Sequence, residues 1–65
     1  MRRKNYEMLR KYAQEVSNAE DAFTKAVLNE SKDEIYEAEE ALNATVEILL
    51  VAVNDVLADE IDNLQ

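Results

Sequence analysis

The sequence predicts an all-α fold: an antiparallel hairpin of two helices that self-associates into a four-helix bundle. Three observations support this prediction. The chain has no Gly and no Pro, which removes the residues that tight β-hairpin turns favour. Its apolar residues recur at alternating spacings of three and four, as in a heptad repeat. Its 65 residues, without Cys or His, are too few to enclose a large core, and association is the remaining usual way to complete one.

The first helix is predicted over about residues 4–28 because one apolar series runs through it without a gap. The series forms a seam along one face of a helix, and the opposite face carries charged and polar side chains. The seam residues are Leu9, Tyr12, Val16, Ala19, Phe23 and Ala26.

A polar stretch at residues 29–34 separates this series from a second one. Ser31 and Glu34 have the spacing of a capping box, which begins a helix. Asn29 is expected to end the first helix, because Asn tolerates the left-handed conformation. A second helix is predicted over about residues 32–63, with Val46, Val53, Leu57 and Leu64 beside its seam. The seam residues are Ile35, Ala38, Leu42, Thr45, Leu49, Ala52 and Val56.

One uninterrupted helix is the alternative to a hairpin. Extending the first seam at the same spacing would place mostly acidic side chains on it, including Glu30, Asp33 and Glu37. Residues 1–11 hold five basic side chains and one acidic one, and the C-terminal end is acidic. Folding back would bring these ends together, so the hairpin is the preferred prediction. The whole chain, residues 1–65, is expected to form a single domain.

Two helices cover each seam on one side only, so we expect a second copy to complete the core. Helix 2 also has an apolar run at residues 48–53, in which Ile48 and Val51 point nearly opposite to the seam on a helical projection. This pair is interpreted as tolerated surface aliphatics, as a second self-contact or as a partner patch. The predicted self-association core comprises Leu9, Tyr12, Val16, Phe23, Leu42, Leu49, Val53 and Val56.

The residue inventory predicts no enzyme. Without Cys or His there is no usual nucleophile with its base and no ordinary zinc site, so no catalytic residue, cofactor or metal is expected. A membrane span is not expected either, since the apolar run is short and Glu47 and Asp55 interrupt its surroundings. A cytoplasmic location is predicted, because no apolar segment follows the basic residues of the N-terminus.

Three functions remain open. The first is a small non-catalytic homo-oligomer, with a dimer favoured, that binds or regulates another protein of basic or apolar surface. The second is an acidic inhibitor, such as a phage-type decoy, whose carboxylates imitate phosphates for a basic host protein. The third is a dimeric hairpin that binds RNA through its basic N-terminal end, although the net charge of −8 makes nucleic acid an unfavourable partner. The possible acidic partner surface comprises Glu30, Asp33, Glu34, Glu37 and Glu40.

Overall fold

The fold, as given by a computed structural model that describes residues 1–64, is an antiparallel helical hairpin. It consists of α1 (Arg3–Leu28) and α2 (Lys32–Leu64), packed against each other along their length. The predicted helix bounds are confirmed to within one residue, and the alternative of one uninterrupted helix is wrong. The hairpin measures 52 × 15 × 10 Å, so it is a single layer of two helices. The four-helix bundle remains a prediction.

Both predicted seams lie at the interface between the helices. Every residue of the two series is buried or half-buried, whereas most of the flanking positions are exposed. Thr45 is the one polar side chain in the predicted series, and its hydroxyl donates a hydrogen bond of 2.8 Å to the carbonyl oxygen of Leu42. This bond satisfies the hydroxyl within its own helix, so that a polar residue is accommodated in the seam.

The hairpin does not enclose a core of large side chains. The buried apolar residues are only Ala26, Ala52 and Val56, and among the described residues no large side chain is less than 2% exposed. Apart from these three, the seam side chains are only half-buried and stay partly open to solvent. The apolar seam is therefore covered incompletely within one hairpin, and another surface is needed to cover the rest of it.

The turn corrects one detail of the sequence analysis. Asn29 does end α1, but its backbone is right-handed, with φ −81°. The left-handed residue is Glu30, with φ 56°. The Glu30 N–H donates to the carbonyl oxygen of Val27, which is the bond that a left-handed residue just after a helix end makes. The chain reverses one residue later than expected, at a residue with a Cβ and therefore with steric strain.

Replacing Glu30 with Gly is expected to stabilise the hairpin by about 0.5–1 kcal/mol, because Gly adopts positive φ without a steric penalty. Urea denaturation at one fixed chain concentration would measure the change in the free energy of unfolding. Asn29→Gly is the matched control, since φ is already negative there and the added backbone freedom should destabilise. Equal effects of the two variants would show that Glu30 is not strained.

Helix α2 is long and apolar enough, by length and composition alone, to cross a membrane. An 18-residue window within its 33 residues has a mean hydropathy of 1.6 with no more than two charged side chains. The length of the apolar segment is therefore not a sufficient argument against a membrane span. The prediction that no membrane is involved rests on the carboxylates of Glu47 and Asp55 within this segment.

Candidate interaction surface

The hairpin has two broad faces, one on each side of the plane that contains both helix axes. On a helical projection at about 100° per residue, Ile48 and Leu50 of α2 lie about 160° apart. One belongs to each face, and both are exposed, at 47% and 58%. A partner could therefore contact either face.

The first face contains the predicted pair Ile48 and Val51. These residues line a shallow groove of about 350 Å³ between the two helices, which we call the α1–α2 groove. Two carboxylates, of Glu47 and Asp55, stand among its walls. The groove residues are Met8, Tyr12, Glu47, Ile48, Val51, Ala52 and Asp55.

The second face carries a longer apolar series that we call the α2 stripe: Val46, Leu50, Val53, Leu57, Ile61 and Leu64. Five of the six are exposed, with values of 38% for Val46 and 88% for Leu64. Spacings of four, three, four, four and three residues place them on one side of α2, next to the seam. Sequence reasoning noticed four of them as seam neighbours but missed Leu50 and Ile61. The same three-and-four spacing would have found both.

The predicted self-association core lies within the seam between α1 and α2. Seven of its eight residues are half-buried and so keep a part that a second copy could cover, whereas Val56 is only 3% exposed. Whether these residues also contact a second copy stays a prediction. The half-buried members are Leu9, Tyr12, Val16, Phe23, Leu42, Leu49 and Val53.

The predicted acidic partner surface lies around the turn and the first two turns of α2, which we call the acidic tip (residues 25–40). Its six carboxylates outnumber its two lysines. All five predicted members are exposed, and the structure brings them to one end of the hairpin. They are Glu30, Asp33, Glu34, Glu37 and Glu40.

The opposite end of the hairpin is closed by a polar cluster that sequence reasoning missed. Asn5 is 3% exposed and continues the seam of α1 four residues before Leu9. Its Nδ2 donates hydrogen bonds to Asp59 Oδ2 at 2.8 Å and to Glu60 Oε2 at 3.4 Å. Asp59 likewise continues the seam of α2, three residues after Val56. Extending the heptad spacing of each seam to a polar residue, Asn5 on α1 and Asp59 on α2, would have identified this pair.

The charged N-terminus completes this polar cluster. Arg2 donates its backbone N–H to Glu60 Oε1 at 3.0 Å, its guanidinium lies 3.6 Å from Asp59 Oδ2, and it also donates to Asn63 Oδ1. The terminal ammonium of Met1 lies 3.5 Å from Glu60 Oε1. The basic start of α1 and the acidic end of α2 therefore meet side by side, as the charge pattern predicts. The carboxylates also face the positive end of the α1 dipole.

This arrangement shifts the acidity of one carboxyl group. The hydrogen bond from Asn5 lowers the pKa of Asp59, partial desolvation opposes this, and the charges of Arg2 and Lys4 lower it further. A lowered pKa means that the folded chain binds the proton less tightly than the unfolded chain does. Asp59 therefore contributes stability above its unfolded pKa of about 3.9, and loses it as pH falls through the folded value.

Asn5→Ala is expected to raise the pKa of Asp59, because it removes the largest of the three stabilising contacts. A carboxyl-detected NMR titration between pH 2 and 6 would follow Asp59 directly. The acid side of the stability profile should flatten in the same variant. Asn18→Ala is the control, since the Asn18 side chain accepts a hydrogen bond from Gln14 and its loss should leave the titration of Asp59 unchanged. An unchanged pKa in Asn5→Ala would contradict the assignment.

The fold and surface define the class of this molecule as an open helical hairpin with apolar broad faces and an acidic tip. No family model, no curated protein and no solved structure matches the chain. Within residues 1–64, no group of three or more carboxylates is placed so that it could hold a metal ion. Function must therefore be inferred from the chain's own surfaces.

Proposed function

We propose that this chain is a small, non-catalytic, cytoplasmic protein that self-associates through its hairpin and binds or regulates another protein. One observation carries the proposal: the hairpin exposes large aliphatic side chains on both broad faces, and Val56 is the one such side chain among residues 1–64 that is buried. An exposed apolar surface of this extent marks a site of interaction.

The extent of α2 that is left open strengthens the argument. In its most apolar 18-residue window, only 11% of the residues are buried within the hairpin, so the window is not the core helix of a closed monomer. It has to be covered by another copy, by a different protein or by lipid. Carboxylates at Glu47 and Asp55 make lipid the least favourable cover, whereas a protein surface can leave them at its rim.

The proposal is tested by the absolute mass of the chain in solution, measured by size-exclusion chromatography with light scattering in buffer without detergent. We expect a concentration-dependent species of at least twice 7.4 kDa. A folded species that stays at the monomer mass up to millimolar concentration would overturn self-association. A chain that is soluble only in detergent or vesicles would favour lipid as the covering material.

The acidic inhibitor is the second candidate, and the exposure of the acidic tip favours it. Carboxylates held along a helix can occupy a groove that binds nucleic-acid phosphates. Affinity for a basic protein should then fall steeply between 50 and 300 mM salt, because the contacts are charge pairs. The variant Glu34→Gln/Glu37→Gln should weaken that binding while leaving self-association unchanged. Salt-independent binding would exclude the mechanism.

The RNA-binding alternative is weakened by the contacts of the basic end. Arg2 is held by Asp59 and Asn63, and Arg3 lies 3.0 Å from Glu7 within its own helix. These contacts place carboxylates beside the cations that would have to bind phosphate. Lack of a mobility shift with RNA hairpins at low salt would close this alternative.

A further inference from the structure

We propose that the α1–α2 groove is the docking site for a cationic amphipathic helix of a partner protein. An apolar side chain of that helix sits between Tyr12 and Ile48, and its Lys or Arg side chains meet the carboxylates around the groove. The inference rests on the proposed binding of another protein, and deepens it by naming the face and the chemistry of the partner. Self-association is separate from it and has its own test.

The floor of the groove is apolar and comes from both helices. Met8 is 36% exposed, Ile48 47% and Val51 60%, and Tyr12 is half-buried. These side chains border a volume of about 350 Å³, which admits a large apolar side chain from outside. A helix that lays one row of apolar residues into a groove of this kind is a recurring mode of peptide recognition.

Small side chains extend the groove towards the acidic tip. On a helical projection, Ala41 and Ala44 lie on the same side of α2 as Ile48, and Ala22 lies on the same side of α1 as Met8. All three alanines are exposed. The distance at which two helices pack depends on the side chains between them, so a partner helix can lie close to both backbones here. The groove therefore accommodates a length of helix and not only a single side chain.

Carboxylates outnumber cations around the groove. Glu47 and Asp55 line it and are exposed, and Glu15 is half-buried on the side of α1 that borders the groove. In the described part of the chain, none of these three carboxylates forms an ion pair. The ammonium of Lys11 lies over the ring of Tyr12, 5.5 Å from its centroid. An occupant that desolvates these carboxylates must therefore supply cations of its own.

The two helices give the groove two differently charged sides. From residue 33 to residue 64, α2 contains no Lys or Arg, so the charges on its side of the groove are all negative. The α1 side carries Lys4 and Lys11 as well as carboxylates. The partner helix is therefore expected to direct its cations towards α2. A second copy that docked by the same face would bring the same excess of carboxylates, which makes it a poorer occupant.

Two synthetic peptides test the inference with the full chain. Each is about 18 residues long, which is enough to form a helix, and has leucine on one face. The other face is lysine in the first peptide and glutamate in the second. We expect the lysine peptide to bind and to shift the methyl NMR signals of Met8, Ile48 and Val51. The glutamate peptide should bind at least about tenfold more weakly, because it adds like charges to the groove.

A matched pair of double variants separates the groove from the overall acidity of the chain. Glu47→Gln/Asp55→Asn removes two carboxylates from the groove and should weaken binding of the lysine peptide at least about fivefold, since two charge pairs are lost. Glu20→Gln/Glu39→Gln removes two exposed carboxylates from the other broad face. In about 150 mM salt those charges are screened from the groove, so affinity should change less than about twofold. Circular dichroism checks that each variant is folded.

The remaining outcomes separate this inference from self-association. Equal weakening by the two double variants would show a nonspecific charge effect, and methyl shifts centred on Leu50 and Leu57 would move the site to the α2 stripe. Shifts of Met8, Ile48 and Val51 with chain concentration alone would show that a second copy fills the groove. Each of these results, or no binding of the lysine peptide, overturns the inference whatever the mass in solution. A monomeric chain that binds the lysine peptide in the groove overturns self-association and leaves the inference standing.

Discussion

Leu50→Glu is expected to convert the dimer into a monomer, with a dissociation constant raised at least about 100-fold, or about 2.7 kcal/mol. Leu50 is 58% exposed in the single hairpin and lies within the α2 stripe, the longer of the two exposed apolar series. A carboxylate at this position would be desolvated without a partner charge when another copy covers the α2 stripe, which is strongly unfavourable. Light scattering across a concentration series would measure the change.

Ile48→Glu is the matched control for this prediction. It adds the same charge to the same helix, two residues away, at a side chain of similar exposure (47%). Because it lies on the groove face, the dimer should persist with a dissociation constant within a few-fold of the wild type. The reverse pattern, with Ile48→Glu monomeric and Leu50→Glu dimeric, would move the contact to the groove.

Val56→Ala is expected to reduce the free energy of unfolding by about 2 kcal/mol. Val56 is 3% exposed, and the substitution removes two buried carbon atoms and leaves a cavity in the seam. For a domain of this size such a loss lowers Tm by about 8–16 °C. Thermal and urea unfolding at one fixed chain concentration would measure the effect.

Val51→Ala supplies the comparison, because it changes the same side chain in the same helix at a position that is 60% exposed. The higher helix propensity of Ala affects both variants equally, so the difference between them reports burial. Val51→Ala should stay within about 0.5 kcal/mol of the wild type. Equal losses in the two variants would mean that Val56 is not a buried seam residue.

The sequence determined the helices and the seam, because both depend on local rules. Heptad spacing, the absence of Gly and Pro and the polar interruption at residues 29–34 were enough to place both helix bounds within one residue. The same spacing correctly identified which side chains lie between the helices. The failures were local as well: the left-handed residue is Glu30 and not Asn29, since the position in the turn outweighs the preference of the residue type.

The interaction surface was only partly visible in the sequence. Ile48 and Val51 were noticed because they break the helical pattern, whereas Leu50 and Ile61 were overlooked because they follow it. The seam residues and the α2 stripe share one periodicity, and their exposure distinguishes them: the seam residues are buried or half-buried, whereas five of the six stripe residues are exposed. This exposure depends on how far around α2 the contact with α1 extends, which the sequence of α2 alone does not give.

By itself, then, the sequence determined an antiparallel hairpin with a half-closed seam. Only the tertiary structure decided what its charged ends do. Taken alone, the basic start of α1 and the acidic end of α2 each oppose the dipole of their own helix. Once the helices lie side by side, Asp59 and Glu60 accept hydrogen bonds from Arg2 and Asn5 at the positive end of α1. The reason is geometric: the residue type alone gives the charge of a side chain, but the fold determines which charges lie next to it.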